Sequence, residues 1–492
     1  MNPVFYPAVG ALFVLALDLM GSAGRPDEHG PRRAALSGIR LGAVALFSLA
    51  AVVFSLRGGD RRSGDELLSL DSFGVFGLGY IVFAGLLVLS LSLTHFGMAR
   101  SRPTEPIALL LFAWAGSMIA IATDHLLVLL VAIELAWLPM IALIAIDSRR
   151  LSSSESSLKA FFAHVFASLI FAHGIAFVFA ESGRLDLAAL SGRGVEGNLL
   201  FEVGFTLVLL GLIARAAIAP FHPWSPDVHE GAPSFVTTHI ATVAQATTFF
   251  VLLRILHAIP VVELTDAESL GVRVPQLLSL LGLLGLLWGH AMALVQVGLR
   301  RLVGWLGVGQ ISFLTLALVE ARGEGAEGLL LGLIASGVAI TGIMATFSSL
   351  SHHERACEHV GDLAGMMRRS PIRAVLLGIF FLSLAGFPGT FGFVARFKIL
   401  AALEHGGHRW ELVAGLAATV LALTAVGRPL LEMSRSTRDG REGSRALSNE
   451  QFVLAICGAI IVYFGAMPVM GETALAGQLM IWIERAVASL RF

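Results

Sequence analysis

The sequence is short of cysteine and of charge, and each shortage excludes a class of function. Its 492 residues include only two cysteines, Cys357 and Cys457, too few for a cysteine-ligated iron–sulfur cluster or a disulfide framework. Charged residues make up 14% of the chain, against roughly 25% in soluble domains. The formal net charge of −1 indicates binding neither to nucleic acid nor to an anionic surface. The sequence also lacks a nucleotide-binding loop and a metal-ligand cluster, so we expect no cofactor and no metal in this chain.

Long hydrophobic runs are what the sequence does contain. Hydrophobic residues make up 56% of the chain, the mean hydropathy is +0.80, and apolar runs of about twenty residues recur from end to end. Because these runs lack the period-two alternation of barrel strands, they predict an all-α polytopic membrane protein. About fourteen transmembrane helices are expected, near residues 3–21, 39–56, 73–95, 106–122, 125–146, 160–180, 199–219, 235–256, 277–297, 303–319, 327–349, 374–403, 410–427 and 450–467. A last segment, 472–490, is expected along the membrane interface.

The distribution of arginine predicts the orientation of the chain. If the N-terminus lies outside, the loops that face the cytoplasm hold far more arginine than the opposite loops, as the positive-inside rule requires. The N-terminal MNPVFYPAVG has no basic leader and is interpreted as the first span. The longest polar stretches, 22–38, 350–372 and 428–449, are loop-sized and leave no room for a soluble domain. We therefore expect a multi-pass protein of a bacterial inner (plasma) membrane, with the lipid bilayer as one partner and no nucleic acid.

Two of the expected spans are interrupted. The seventh ends in APFHPWSP (219–226), with Pro220 and His222, and the twelfth contains GFPGTFG (386–392), with Pro388. Proline and glycine break or bend helices, and a simple kink is the plainer interpretation. Paired breaks in two repeats, however, are typical of transport pathways, so we expect two inverted five-helix repeats. The predicted organisation is residues 1–105 for helices 1–3, 106–257 and 275–427 for the repeats, and 428–492 for a cytoplasmic loop, helix 14 and the tail.

Several polar residues lie inside apolar spans. Glu134 is central in LLVLLVAIELAWLPMIALIAI, where a charge costs roughly 2.5–3.5 kcal/mol unless it is paired or useful. It could form a static pair with Arg215, and Lys159 near the start of span 6 could simply extend to the interface. His239 and Gln245 in span 8 and His290 in span 9 indicate either a hydrated path or ordinary buried hydrogen bonds.

Three motifs resemble one family. FHPWSPDVHEGAPSFVTT (221–238) resembles the loop between spans 7 and 8 of the antiporter-like subunits of respiratory complex I. ALVQVGLRRLVGWLGVGQISFL (293–314) and DLAGMMRRSPIRAVLLGIFFLSLAGFPGTFGFVARF (362–397) are similar to the junction of spans 9 and 10 and to spans 11–12 of the same subunits. The resemblance covers about residues 70–425. The D-V-x-E-G-A-P form and the basic residue at position 396 resemble the N-type member. That family has fourteen spans, an outside N-terminus and discontinuous helices 7 and 12.

The resemblance implies roles for individual residues. Glu134 matches the family's span 5 glutamate and Arg215 the lysine that pairs with it. The other positions that the resemblance implies for a proton pathway are Lys159, Gln245, Gln310 and Arg396, with Lys398 as the lysine nearest to Arg396 but without a family role. Asp227 and Glu230 belong to the DVHEGAP loop, which we expect to close the cytoplasmic end of helix 7. The resemblance also implies a subunit of NADH:quinone oxidoreductase without redox chemistry of its own, with FMN, iron–sulfur clusters and quinone in partner subunits.

The sequence departs from the family at three central lysines, which are Arg215, Gln245 and Arg396 here. A buried lysine can lose its proton, whereas arginine stays charged and glutamine does not titrate. Histidines, namely His164, His173, His239 and His290, could carry protons instead, although nine residues separate His164 from His173 and place them on opposite helix faces. The alternatives are a non-pumping scaffold subunit of the same complex, or a cation/proton antiporter or inorganic-carbon transport subunit. Family membership favours proton translocation, which we expect.

Overall fold

The fold is built almost entirely of helices. The structure is a computed structural model that describes residues 3–22, 61–62, 67–99, 104–147, 149–191, 199–258, 274–351, 358–435, 448–467 and 474–490. The helices are α1 (Tyr6–Ser22), α2 (Ser72–Ala99), α3 (Thr104–Ala122), α4 (Leu126–Ile144), α5 (Leu151–Ser182), α6 (Leu187–Ser191), α7 (Leu199–Arg215), α8 (Trp224–Gly231), α9 (Ser234–Ala258), α10 (Val274–Val295), α11 (Leu299–Ala317), α12 (Glu324–Leu350), α13 (Met366–Arg369), α14 (Pro371–Ala385), α15 (Phe391–His405), α16 (Arg409–Ser434), α17 (Ser448–Gly465) and α18 (Ala474–Ser489). Short 3-10 turns lie at Pro3–Phe5 and Val360–Leu363, and Arg61–Arg62 pairs antiparallel with Ser69–Leu70 as β1 and β2.

Eight of the described helices are long and apolar enough to cross a membrane: α2, α3, α4, α5, α9, α10, α12 and α16. Of these, α9 and α12 are the most completely enclosed by protein, whereas α4, α5, α10 and α16 expose apolar side chains on their outer faces. The expected span at 39–56 lies outside the described residues. The tail segment forms α18, where the Ser489 Oγ accepts a hydrogen bond of 3.0 Å from the Phe73 amide at the start of α2.

Helix α5 begins at Leu151, earlier than the expected start at 160, because its polar first turns are satisfied by neighbouring backbone. The Ser153 Oγ donates to the Ile144 carbonyl at 2.6 Å, and the Ser157 Oγ donates to the Ile141 carbonyl at 2.9 Å. The Ser156 Oγ reaches the Asp227 carbonyl of α8 at 2.7 Å. The serine-rich residues 152–157, which lie before the predicted span, are therefore helical.

Helix 7 is interrupted as expected, with Pro220 and His222 inside the break, but the break begins and ends a few residues earlier than predicted. Helix α7 ends at Arg215, residues 216–223 are not helical, and the chain becomes helical again in α8. Within the break Ala217 has φ 61° and the Ala219–Pro220 bond is cis. The prediction that DVHEGAP forms a loop was wrong for Asp227 and Glu230, which lie in α8. The two prolines nearest α8, at positions 223 and 226, occupy its N-cap and first turn, where a missing N–H costs no helical hydrogen bond.

Helix 12 is interrupted between α14 and α15, as expected. The break contains Pro388 between Gly386 and Gly389, whose φ angles are 78° and 84°. A left-handed residue after a helix C-terminus is a common way to end it, and the Phe387 amide donates to the Leu382 carbonyl at 2.9 Å. A Cβ at position 386 would lie 2.4 Å from the Cδ of Arg396. Gly386 is therefore required both by its backbone angle and by the arginine that passes beside it.

Two isolated backbone bridges occupy corresponding places in the chain. One joins His125, just before α4, to Asp186, just after α5. The other joins Gly298, just before α11, to His359, which follows α12. In each, the first amide of the helix donates to the carbonyl of the residue that precedes the bridge partner: the Leu126 amide to the Leu185 carbonyl at 2.9 Å, and the Leu299 amide to the Glu358 carbonyl at 2.8 Å.

Candidate functional site

A buried ion pair lies where helix 7 breaks. The last residue of α7, Arg215, donates through Nη2 to the Oε1 of Glu134 on α4. The same Nη2 donates to the Oγ of Ser168 on α5 at 2.6 Å, and this hydroxyl is 2.5 Å from the Glu134 Oε1. Three helices thus converge on one carboxylate oxygen.

The two charges of this pair are unequally buried. The side chain of Arg215 is 0% exposed and that of Glu134 is 31% exposed, so the carboxylate reaches toward the outer face of α4. The Nε and Nη1 of Arg215 have no hydrogen-bond partner among the described residues. A buried cation is tolerated when a counter-charge and hydrogen bonds replace its water, and Glu134 and Ser168 supply both.

The two histidines of α5 point to opposite faces, as predicted. His164 is 2% exposed, and its ring lies 3.7 Å from that of Trp137 and 4.8 Å from that of Trp224. Its Nδ1 is 2.7 Å from the Ala160 carbonyl, and its Nε2 has no partner among the described residues. His173 is exposed on the outer surface of the helix and is not part of the interior.

His239 and Gln245 lie in the centre of the protein on α9. The Nε1 of Trp114 donates to the Nδ1 of His239 at 3.2 Å, which assigns Nδ1 as acceptor and places the hydrogen of the neutral ring on Nε2. The turn between the two residues, Ile240–Ala244, is π-helical, a distortion often found at functional sites. Gln245 is also buried. Within the described part of the chain, no hydrogen bond joins His239 to the Arg215 pair.

A second buried cation lies beside the break of helix 12. On α15, Arg396 donates through Nη2 to the Oε1 of Gln310 at 2.7 Å and to the Leu384 carbonyl at 2.9 Å. Its Nη1 donates to the Thr419 hydroxyl at 3.1 Å, and its guanidinium stands 4.9 Å from the centre of the Phe313 ring. Unlike Arg215, Arg396 contacts no carboxylate among the described residues. All its partners are neutral dipoles or a ring face.

His290 lies near this second cluster, whereas Lys398 does not join it. A Cβ on Gly309 would lie 2.5 Å from the Cε1 of His290, so the α10 ring packs against the backbone next to Gln310. Its Nδ1 is 2.8 Å from the Leu286 carbonyl. Lys398 instead pairs with Glu327 near the start of α12. The nearest lysine in sequence is therefore bound elsewhere.

Lys159 belongs to a third, partly exposed network at the start of α5. Its Nζ is 2.6 Å from both Asp227 Oδ2 and Glu155 Oε1. Arg301 of α11 is 3.2 Å from Asp227 Oδ1 and 3.5 Å from Glu230 Oε2. The network joins α5, α8 and α11, but Lys159 is 44% exposed. Exposed pairs of this kind contribute about 0–1 kcal/mol each.

Sequence reasoning missed one buried charge cluster. Arg254 of α9 is 2% exposed and donates to Asp71 at 2.8 Å and Asp124 at 2.7 Å, with its guanidinium 5.5 Å from the Phe73 ring centre. An arginine inside FFVLLRILHA was visible in the sequence and, as an intramembrane charge, predicts a partner. Ser168, in contrast, has no signal that distinguishes it from other helical serines. The described residues contain no group of three or more histidine, cysteine, aspartate or glutamate residues that could hold a metal.

Comparisons with known proteins identify the family of this chain. A family model described as NADH:quinone oxidoreductase/Mrp antiporter, transmembrane, matches residues 123–422. The chain is similar to NADH-quinone oxidoreductase subunit N of Bdellovibrio bacteriovorus, with 28% identity over 438 residues, 87% of this chain and 88% of that protein. It is similar to the subunit N of Syntrophotalea carbinolica, with 30% identity over 414 residues, 83% of this chain and 86% of that protein.

Solved structures show the same fold. A chain of respiratory complex I from Thermus thermophilus aligns with a TM-score of 0.75 and 26% identity, covering 96% of this chain and 99% of that chain. A chain of the Mrp complex from Dietzia sp. aligns with a TM-score of 0.81, covering 100% of this chain and 97% of that chain. Because the sequence identity is only 19%, this structural similarity indicates a shared fold and no more. The family model matches more than half of the chain, including most of the residues that build the buried clusters, and the curated relatives reported above are subunits N. The chain therefore belongs to the NADH:quinone oxidoreductase/Mrp antiporter family of transmembrane subunits.

Proposed function

We propose that this chain is a membrane-arm subunit of a complex I-like NADH:quinone oxidoreductase and takes part in redox-coupled proton translocation. The observation that carries the proposal is the Glu134–Arg215–Ser168 cluster at the break of helix 7. It places a titratable carboxylate against a fixed cation, where discontinuous backbone is tolerated only inside protein or beside a water-filled cavity.

Glu134 is the proton carrier of this cluster. Arg215 keeps its charge and pairs with Glu134, and protonation of Glu134 removes the counter-charge of the guanidinium. Ser168 accepts from Arg215 and contacts the same carboxylate oxygen, so it stays with the arginine when Glu134 is neutral. A carboxylate therefore carries the proton that a lysine ammonium carries in the family.

His239 and His290 continue the path toward the second half. Each is fully buried with one ring nitrogen engaged, by Trp114 in one case and by the Leu286 carbonyl in the other. Water is required to join them, since their direct partners do not connect the clusters. Arg396 has only neutral partners among the described residues, and as an arginine it stays charged, so it supplies a fixed charge.

The membrane architecture belongs to the same proposal. Residues 106–257 and 275–427 are the two inverted repeats within about fourteen spans, and the N-terminus lies outside a bacterial inner membrane. The corresponding breaks at 216–223 and 386–390 and the paired bridges at His125–Asp186 and Gly298–His359 support the two repeats. FMN, iron–sulfur clusters and quinone belong to partner redox subunits, which contact this chain through the assembly.

Proton pumping by the purified, reconstituted assembly tests the proposal. Glu134→Gln should lower the number of protons moved per electron while electron transfer and subunit content are retained, because glutamine cannot carry the proton. Glu432→Gln is the matched control, since the partly buried Glu432 pairs with the exposed Arg435 at the end of α16, away from both buried arginines. An unchanged ratio in Glu134→Gln would identify a scaffold subunit. Purification without redox subunits would favour a cation/proton antiporter or an inorganic-carbon transport subunit.

A further inference from the structure

A cavity of about 530 Å³ lies between α5 and the broken part of helix 7. Its size is within the range of about 300–1,000 Å³ that is usual for ligand pockets. The residues that determine its chemistry are Phe162, Phe166, Phe221, Trp224, Lys159 and Asp227. It is distinct from the Arg215 cluster, although Ala214 lies on its wall.

The cavity has a charged end and an aromatic body. Lys159, Phe162 and Phe166 are spaced by three and four residues on α5 and so share one face. Helix α5 has 32 residues and is about 48 Å long, whereas the hydrocarbon layer is about 30 Å thick. Its first turns therefore lie at headgroup level, with Lys159 and Asp227 at the polar boundary and the phenylalanines deeper.

An unused hydrogen-bond donor lies between these two ends. Trp224 is 3% exposed, lines the cavity, and its Nε1 has no partner among the described residues. A buried donor without an acceptor is costly. Indole N–H groups at the membrane interface are suited to polar groups at headgroup depth.

We propose that this groove, defined by Phe162, Phe166, Phe221, Trp224 and the Lys159–Asp227 pair, binds a phosphatidylethanolamine-type lipid. The phosphate contacts Lys159 and the primary ammonium contacts Asp227, so that the zwitterion lies antiparallel to the protein ion pair. An ester carbonyl accepts from Trp224, and one acyl chain covers the three phenylalanines. The bound lipid then joins α5 to residues 221–224, which comprise the end of the break in helix 7 and the first residue of α8.

Charge and hydrogen bonding select this headgroup over others. A phosphatidylglycerol headgroup has no cation, so its phosphate adds a negative charge beside Asp227 and Glu155. These carboxylates already share Lys159 and Arg301 as their cations. A phosphatidylcholine headgroup has the cation, but its quaternary ammonium has no N–H to donate. A quinone offers a carbonyl to Trp224 but nothing to the Lys159–Asp227 pair.

The test uses the intact assembly in nanodiscs with a phosphatidylethanolamine probe that carries a photoactivatable diazirine in its upper acyl chain. After illumination, mass spectrometry should find the probe on peptides of this chain that contain residues 159–166 and 221–224. Unlabelled phosphatidylethanolamine should compete at least about fivefold better than phosphatidylcholine or phosphatidylglycerol, since one or more charged hydrogen bonds distinguish the headgroups.

Matched variants locate the binding to the groove. Phe166→Ala should lower labelling, whereas Phe179→Ala should not, because both phenylalanines lie on α5 and are 53% and 52% exposed, but only Phe166 lines the cavity. Trp224→Phe keeps a ring and removes the donor, and should lower labelling by about two- to tenfold. Subunit content is checked for each variant so that loss of assembly is not mistaken for loss of the site.

Four outcomes would overturn the proposal. Equal competition by phosphatidylcholine would mean an unselective annular lipid, and competition by a short-chain quinone would mean a quinone cleft. Equal labelling of Phe166→Ala and Phe179→Ala would place the contact elsewhere on α5. Absence of labelling in an intact assembly would mean that a partner subunit covers this face.

Discussion

At the scale of single residues, the two buried arginines differ in their partners. Arg215 has the counter-charge of Glu134, whereas Arg396 is surrounded by Gln310, a carbonyl, a hydroxyl and a ring. Arginine suits both sites because its planar fork can donate in several directions at once. The two clusters therefore differ in chemistry: the first contains a titratable carboxylate, and the described residues of the second contain none.

A double-mutant cycle on the first cluster tests this difference. Arg215→Leu should destabilise the subunit by about 3 kcal/mol, because it leaves Glu134 without its partner, and the value lies at the low end of the range for buried pairs because Glu134 is partly exposed. Arg215→Leu/Glu134→Leu should recover much of that loss, since no charge is then left unpaired. Thermal loss of assembled complex measures both, and equal losses in the single and double variants would contradict the coupling.

The residues of the clusters differ in how far sequence could predict them. Glu134 and Arg215 were predictable as partners because each is a charge inside an apolar run. It was not predictable that Lys398 pairs with Glu327 and stays out of the Arg396 cluster, because Glu327 is 71 residues away in sequence and helix packing decides the contact. Arg254, like Arg215, is a charge inside an apolar run and was overlooked. Ser168 has no sequence feature that distinguishes it from other helical serines.

At the scale of elements, the two breaks were predictable but their bounds were not. Proline and glycine mark both interruptions. The prolines at the start of α8, however, begin a helix where the sequence predicted a loop. Similarly, the serines before position 160 lie in α5 because carbonyls of α4 and α8 accept their hydroxyls. Such tertiary hydrogen bonds override local propensity, and single-sequence patterns do not contain them.

Two glycines of the second break provide a controlled comparison. Gly389→Ala should cost only about 1–2 kcal/mol, the penalty of a left-handed backbone, because nothing lies within 4 Å of its new Cβ. Gly386→Ala should cost more, because it adds a contact of 2.4 Å with the Arg396 side chain. The thermal stability of the assembly measures the difference. Equal losses would mean that Arg396 moves away freely and is not fixed by the break.

At the scale of the whole molecule, the all-helical architecture could be predicted from composition and run length. The enclosure of α9 and α12 could not, because their mean hydropathy overlaps that of helices with exposed outer faces. The polar residues of α9, such as His239 and Arg254, predict buried partners but not which helices surround it. The position of α9 and α12 is decided by which helices pack around them. The orientation of the chain remains a prediction from its arginine distribution.

Site-directed cysteine labelling in oriented vesicles tests that orientation. A membrane-impermeant maleimide should reach Arg435→Cys only from the cytoplasmic side and Arg184→Cys only from the outer side, since both positions are exposed and lie in oppositely placed loops under the positive-inside rule. The unsubstituted chain is the control for its own two cysteines. Labelling of both positions from one side would contradict the orientation.

Arg396 also has a consequence for the insulation of the membrane. A unit positive charge within about 4 Å of another meets a repulsion of about 4 kcal/mol at an effective dielectric constant of about 20, which slows its passage roughly a thousandfold. Since Arg396 cannot be discharged and has no carboxylate partner in the described residues, it repels hydronium and sodium ions equally. In the proposed path, Arg396 therefore opposes the passage of free cations through the second half, and a proton passes this point only by transfer between neutral groups such as water and His290.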